Sequence, residues 1–225
     1  MVKNEIELKK ILKNFFKGNS SISSINLKDD GSIVTDIDIK LQEIIIEFFK
    51  GLCKEIFIIS EERNDHQESY ILKNKNYLII DPIDGTENFT YLGNLYGVTI
   101  SWRIKEEEVH LIYIPSINKF ISSSNEAERF KNSSINLFST KCIKSNEIIN
   151  IDNARVLGSS SYMFYLILTG KAKSYTYCKG AKIWDCYTGL SLARKFGLII
   201  DKIPVDYFDY PNHTQKFTVY HETKK

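Results

Sequence analysis

No stretch of this 225-residue chain is apolar for long enough to cross a bilayer. The longest apolar run, Tyr162 to Leu168, falls far short of the ~20 residues a membrane-spanning helix needs. Neither sign of charge dominates. Thirty basic residues against 28 acidic ones leave a net charge of +2, which gives no electrostatic footing for nucleic acid or a membrane surface. The N-terminus, Met1-Val2-Lys3-Asn4-Glu5, is charged and lacks the apolar stretch of a secretory signal. Cys53, Cys142, Cys178 and Cys186 form no C-x-x-C pair, and their spacing suggests neither a zinc site nor a small disulfide framework. Reduced thiols in a cytoplasmic protein are therefore expected. Repeats, low-complexity linkers and obvious domain boundaries are missing too. One unit spanning 1–225 is expected, with sub-regions near 1–125 and 126–225.

What is present is periodicity. Leu8, Ile11, Leu12 and Phe15 recur at helical spacing, as do Ile37, Leu41, Ile44, Ile45, Phe48 and Leu52. Ile56 to Ile59 and Tyr77 to Ile80 are short continuous apolar runs that suit buried strands. Each run ends in acid, at Ser60-Glu61-Glu62 and at Asp81. Further strands are predicted at Tyr96–Ile104, Val109–Pro115, Lys119–Ser123, Ala154–Leu157, Ser174–Cys178 and Leu198–Ile200. Helices are predicted from the serine run at 159–161 to Leu168 and over Asp185–Phe196. Residues 124–150 carry no clear pattern. Helix and sheet layers with much antiparallel pairing predict an α+β sandwich.

The chemistry concentrates at Asp81-Pro82-Ile83-Asp84-Gly85-Thr86. Two carboxylates three residues apart repel if aimed at one point, and a hard, oxygen-seeking ion such as Mg²⁺ resolves the conflict. Pro82 removes one N–H, so the Ile83 carbonyl can turn inward as a ligand. Gly85 permits a sharp turn or a close approach by phosphate. Thr86, Glu87 and Asn88 can open a helical turn whose free N–H groups bind phosphate oxygens. The competing structural reading is a plain tight turn, since Asp, Pro and Gly are turn residues. A phosphatase of the haloacid dehalogenase type also ends an acidic strand in Asp-Gly-Thr, but there one residue separates the two aspartates, whereas two separate them here.

Other motifs accompany this one: Lys28-Asp29-Asp30-Gly31-Ser32 followed by Thr35-Asp36-Ile37-Asp38, Ser60-Glu61-Glu62, and Trp184-Asp185 with Gly189. Together, in this order, they resemble the inositol monophosphatase family. The resemblance implies a layered αβαβα sandwich of the inositol monophosphatase and fructose-1,6-bisphosphatase type, and hydrolysis of a small phosphorylated metabolite with two or three Mg²⁺ ions and sensitivity to Li⁺. It casts Glu61, Asp81, the Ile83 carbonyl, Asp84 and Asp185 as metal ligands. Asp38 and Thr86, with Glu61, handle the attacking water. Gly85 and Thr86 hold the phosphate, and Ser159, Ser160, Cys178 and Asp185 fall at substrate positions. A homodimer is compatible with it.

Substrate choice is where the chain departs from the pattern. Inositol-handling members carry a glutamate seven residues before the Trp-Asp aspartate, and here that position is Cys178. Phe196-Gly197-Leu198 stands where Ala-Gly-Gly is usual, and Ser60 replaces a common glycine. A sugar or cyclitol monophosphatase is the first expectation and a 3′(2′),5′-bisphosphate nucleotidase the second. A binding or regulatory protein with a degenerate site is the third, from another class.

Overall fold

The computed structural model describes residues 2–18, 22–63, 75–127, 130–144, 152–178, 180–201 and 216–222. Parts of the unpatterned 124–150 stretch, and Lys179, lie outside these residues. Helices α1 (Val2–Gly18) and α2 (Asp36–Leu52) form the first layer. The small hairpin of β1 (Ile25–Leu27) and β2 (Ile33–Thr35) joins them, with the expected turn at 28–32. Their apolar faces, including Leu8, Leu12, Ile37, Leu41, Ile45 and Phe49, are fully or nearly fully buried, as the helical spacing requires.

They lie on a sheet ordered β3-β4-β5-β6-β7. Its strands are β3 (Phe57–Ser60), β4 (Tyr77–Asp84), β5 (Gly97–Ile104), β6 (Glu107–Ile114) and β7 (Lys119–Ser122). Alternation along β4 shows how the sheet serves two cores. Leu78 and Ile80 pack with α1 and α2, whereas Tyr77 and Ile79 pack on the opposite side. There they meet α5 (Ser160–Leu168) and α6 (Ile183–Lys195). These helices are also covered by a second sheet, ordered β11-β12-β10-β8-β9. It comprises β8 (Asn136–Phe138), β9 (Ala154–Arg155), β10 (Ser174–Tyr177), β11 (Ile199–Asp201) and β12 (Phe217–Tyr220). On its outer side the short α4 (Thr140–Lys144) contributes Cys142 to a small cluster with Phe138 and Cys178. The order is helix, sheet, helix, sheet, helix, so the αβαβα expectation holds.

Three points depart from the sequence reading. The Ala154–Leu157 strand shrinks to Ala154–Arg155, and β12 was not foreseen. The expectation of reduced thiols is corrected: Cys142 and Cys178 form a disulfide with Cα atoms 5.0 Å apart, while Cys53 and Cys186 remain thiols. A separation of 36 residues leaves no local spacing signal, and only the meeting of α4 with the end of β10 brings the pair together.

The seam between the first sheet and α6 holds a buried polar network. Ser101 Oγ lies 2.9 Å from His110 Nδ1 and 2.8 Å from Thr188 Oγ1. The Tyr187 hydroxyl donates to Glu108 over 2.8 Å and contacts the Tyr77 hydroxyl at 2.9 Å. Burial lowers the His110 pKa to about 4 from an ordinary 6.5, against the opposing pull of Glu108. Close packing dominates elsewhere in the seam: a Cβ on Gly189 would sit 2.2 Å from the buried Phe164 ring.

Two outcomes are expected. Gly189→Ala, a change that favours an exposed helix, is expected to cost about 3 kcal/mol here through overpacking, read by urea unfolding. The unfolded chain protonates His110 near pH 6.5 and the folded chain only near pH 4. The contribution of neutral His110 is thus complete above pH 6.5 and declines as pH falls toward 4, by at most about 3 kcal/mol. The stability difference between wild type and His110→Gln, measured across that window, is expected to shrink as pH falls.

Candidate active site

Parallel pairing builds the acidic centre. Strands β3 and β4 run side by side in register, Ser60 against Ile80, so both chains emerge at the same sheet edge. The Glu61 N–H donates to the Ile80 carbonyl over 3.3 Å, which sets Glu61 beside Asp81. An odd spacing would normally send Asp81 and Asp84 to opposite faces of a strand. Against β5, however, Asp81 pairs with Thr99 and Asp84 with Gly97, with a register shift between them. One extra residue in β4 forms a bulge that re-aims the strand. Pro82 falls within it, where a missing N–H interrupts no ladder. Both aspartates thereby line one cavity of about 190 Å³, together with Glu61, Ile83, Gly85, Thr86, Glu87, Gly158 and Asp185.

Asp84 and Asp185 are each held by one oxygen. Asp84 Oδ2 accepts from Ser159 Oγ at 2.6 Å and from the Ser161 N–H. Asp185 is the third residue of α6, and its Oδ2 accepts from the Lys182 N–H at 2.9 Å and the Tyr177 hydroxyl at 3.4 Å. Capping of the helix therefore leaves its Oδ1 available. Asp81 differs: it is 1% exposed, and its Oδ1 is buried with no hydrogen-bond partner among the described residues. Burial, then the charges of Glu61, Asp84 and Asp185, push its pKa well above the usual carboxylate range. Burial followed by Glu61 pushes Asp185 to about 7. Burial also raises Asp84, against the hydrogen bonds from Ser159 and Ser161.

Lys28 neutralises part of this charge. Its Nζ lies 2.8 Å from Glu61 Oε1 and 2.7 Å from Glu62 Oε1. Burial opposes its charge, but the two glutamates outweigh burial and raise its pKa. Glu62 is the more buried of the pair, at 4% against 24% side-chain exposure, yet Glu61 is the one that lines the cavity. Among the described residues no three acidic, histidine or cysteine side chains are already drawn to one metal-binding point. The donor set nonetheless fits a hard divalent cation: all oxygen, mutually repelling, with one buried oxygen lacking any donor.

Asp38 sits just behind. It is 1% exposed, whereas Asp36 turns outward to Ser23, Ser24 and Lys40. Asp38 Oδ2 accepts from the Thr35 N–H at 2.9 Å and Thr35 Oγ1 at 2.5 Å, closing the capping box of α2. Its Oδ1 is left for Thr86 Oγ1, 3.2 Å away, which also lies 3.0 Å from the Ile83 carbonyl. Burial raises the Asp38 pKa. Thr86 begins α3 (Thr86–Leu92) after Gly85, whose φ of +89° is left-handed. A Cβ on Gly85 would stand 2.9 Å from Ser159 Cβ, so conformation and space both demand glycine.

Not every candidate reaches the cavity. Ser159 caps α5 and braces Asp84, and Ser160 accepts from the Tyr175 hydroxyl at 3.2 Å. Cys178 is buried and bonded to Cys142, so it presents no thiol to a substrate. Trp184 is packing, within the core beside α5. Sequence reasoning missed Ser161, although a serine run ahead of an apolar helix is an N-cap signature that points its hydroxyls at neighbours. A larger cavity of about 810 Å³ lies elsewhere, lined by Phe16, Phe89, Tyr91 and Tyr96 among others and by no acidic residue. The acidic residues gather in the smaller cavity.

The family model described as the inositol monophosphatase family matches residues 2–148. The chain belongs to that family. An inositol monophosphatase of Dictyostelium discoideum is 26% identical over 219 residues, covering 85% of this chain and 79% of its own. A 3′(2′),5′-bisphosphate nucleotidase CysQ of Buchnera aphidicola is 28% identical over 207 residues, covering 77% and 72%. A Nus factor SuhB of Pasteurella multocida is 25% identical over 202 residues, covering 77% and 73%. The fold matches a solved IMPase/NADP phosphatase with TM-score 0.79 at 14% identity, over 98% of this chain and 90% of that one. A Thermotoga maritima IMPase matches with TM-score 0.74 at 18% identity, over 98% and 92%.

Removing one charge from the cluster separates its two roles. Metal-free Asp81→Asn is expected to be more stable than wild type by about 1 kcal/mol. Mg²⁺ at a hundredfold excess over its Kd is expected to stabilise wild type by about 3 kcal/mol. The variant is expected to lose most of that gain, as read by thermal denaturation with and without the ion.

Proposed function

We propose that this chain is a Mg²⁺-dependent phosphatase that hydrolyses a small phosphomonoester, with a sugar or cyclitol monophosphate as the first substrate class. The unpartnered, buried Oδ1 of Asp81, among Glu61, Asp84 and Asp185, carries the reading. Such a group of carboxylates is costly unless a cation is bound there. Glu61, Asp81, the Ile83 carbonyl, Asp84 and Asp185 would hold Mg²⁺. When bound, the ion supplies charge for the phosphoryl oxygens and makes water a stronger nucleophile near neutral pH.

The chain's own residues do the rest. Gly85 and Thr86 offer N–H groups at the open start of α3 to the phosphate oxygens. Thr86 Oγ1 orients the attacking water and accepts its proton while passing its own to Asp38 Oδ1, along the 3.2 Å contact. Thr35 fixes the other oxygen of Asp38, so the accepting one cannot turn away. No covalent phosphoenzyme is needed.

A bisphosphate nucleotidase is the second reading. It is favoured by the disulfide at Cys178, which removes a hydroxyl-binding group from the position inositol-handling members give to glutamate, and by the similarity to CysQ. Phosphate release from inositol phosphates, sugar phosphates, NADP and adenosine 3′,5′-bisphosphate, with and without Mg²⁺, tests both. Release is expected only with Mg²⁺, with the highest kcat/KM on a monophosphate. Asp84→Asn is expected to lower kcat/KM on the order of 10³-fold, and Thr86→Ala ~10²-fold, with both variants folded. Activity confined to the adenosine bisphosphate selects the second reading. No release from any compound, with no Mg²⁺ bound, would leave a binding protein.

A further inference from the structure

The Cys142–Cys178 disulfide sits where it can govern Asp185. Both sulfur-bearing residues are buried, in a cluster with Phe138 and the partly buried Ala154 and Val156. Their Cα separation of 5.0 Å is normal for a cross-link. Backbone contacts reinforce the junction: the Ser139 N–H donates to the Thr176 carbonyl at 3.0 Å, and the Cys178 N–H donates to Ser139 Oγ at 3.4 Å. The two groups that hold Asp185 Oδ2 lie on either side of Cys178 in the chain. Tyr177 precedes it and gives its hydroxyl at 3.4 Å, and Lys182 follows and gives its N–H at 2.9 Å. The frame of Asp185 is therefore tied covalently to α4.

We propose that the Cys142–Cys178 pair is a redox-governed brace of this frame: the disulfide form holds Asp185 ready for a divalent cation, and the dithiol form loosens it. The proposal rests on the reading of Asp185 as a metal ligand. Two thiol sulfurs cannot occupy the space of a bonded pair in a packed cluster. Reduction thus requires the two sulfurs to separate and removes the covalent tie between α4 and the end of β10, so Tyr177, which adjoins Cys178, is held less firmly against Asp185. Outer groups that orient a ligand side chain typically tune metal affinity 10- to 100-fold.

The reductant belongs to the dithiol class. One of its thiolates attacks Cys142 or Cys178 sulfur, the protein S–S bond breaks, and a mixed disulfide forms as the other cysteine leaves as thiolate. The second thiolate of the reductant then displaces the protein sulfur. Two electrons and two protons pass to the protein, which ends with two thiols, while the reductant ends as a disulfide. Cys142 lies in a helix of five residues between the exposed Lys141 and Ile143, so local opening of α4 gives the route of attack.

The test compares wild-type protein in air-oxidised form, after incubation with dithiothreitol, and after reoxidation. Peptide mass mapping with differential alkylation reports the thiol state, and calorimetry reports Mg²⁺ affinity. The reduced form is expected to bind Mg²⁺ about tenfold more weakly, with affinity restored on reoxidation. The Cys142→Ser/Cys178→Ser double variant is expected to match the reduced form and to ignore the reductant. Cys53→Ser is expected to respond as wild type does. Equal Mg²⁺ affinity in the two wild-type forms overturns the brace and leaves the metal site standing. Absence of the Cys142–Cys178 peptide link after oxidation overturns it as well. Failure of both forms to bind Mg²⁺ overturns it together with the metal-ligand reading.

Discussion

Charge repulsion inside a small acid-lined pocket is the constraint on which the rest of this structure turns. Glu61, Asp81, Asp84 and Asp185 line one small cavity; burial lifts the proton affinity of the three aspartates, and repulsion from neighbouring carboxylates adds to it at Asp81 and Asp185. Ordinary core physics disfavours such a grouping, since buried like charges cost far more than the packing around them returns. The fold tolerates it by giving most of the acids one satisfied oxygen each. Lys28 serves Glu61, the start of α5 serves Asp84, and Tyr177 with the start of α6 serves Asp185. Of these four acids, Asp81 keeps a buried oxygen with no hydrogen-bond partner among the described residues.

The architecture is arranged around that concentration of charge. Parallel β3 and β4 bring two acidic strand ends to one edge, the bulge in β4 folds Asp84 back toward Asp81, and α6 returns from the second half of the chain with Asp185 at its first turn. Glycine is required where these parts touch. Gly85 meets Ser159, Gly97 meets Ser161 and Gly189 meets Phe164 at distances that leave no room for a Cβ. Close backbone approach is thus the means by which helices α5 and α6 are held near the acids.

Much of this was legible in the chain itself. The helical spacing of Leu8, Leu12, Ile37, Leu41 and Ile45 and the apolar run at Tyr77–Ile80 are direct consequences of burial, so they marked α1, α2 and β4 correctly. Asp81 and Asp84 were legible as a carboxylate pair at a strand end, whereas Glu61 and Asp185 were legible through the order of motifs that resembles the family. Features that depend on long-range meetings were not legible. The disulfide needs α4 to meet the end of β10, a contact with no local signature. Ser159 read as a substrate-position residue and Ser161 was missed, and only the approach of α5 to Gly85 brings the Ser159 hydroxyl and the Ser161 N–H onto Asp84. Strand β12 pairs with β10 and β11 at the far end of the chain, where no alternation announced it.

A cation answering the carboxylates at this one place is what the site requires. Crystals soaked in MnCl₂ and phosphate, with anomalous scattering collected near the manganese edge, address that most directly. An anomalous peak is expected in the cavity within coordination distance of Asp81 Oδ1, with Asp84 sharing it and phosphate beside Gly85 and Thr86. A cavity without an anomalous peak, or manganese bound only at surface carboxylates, would contradict it.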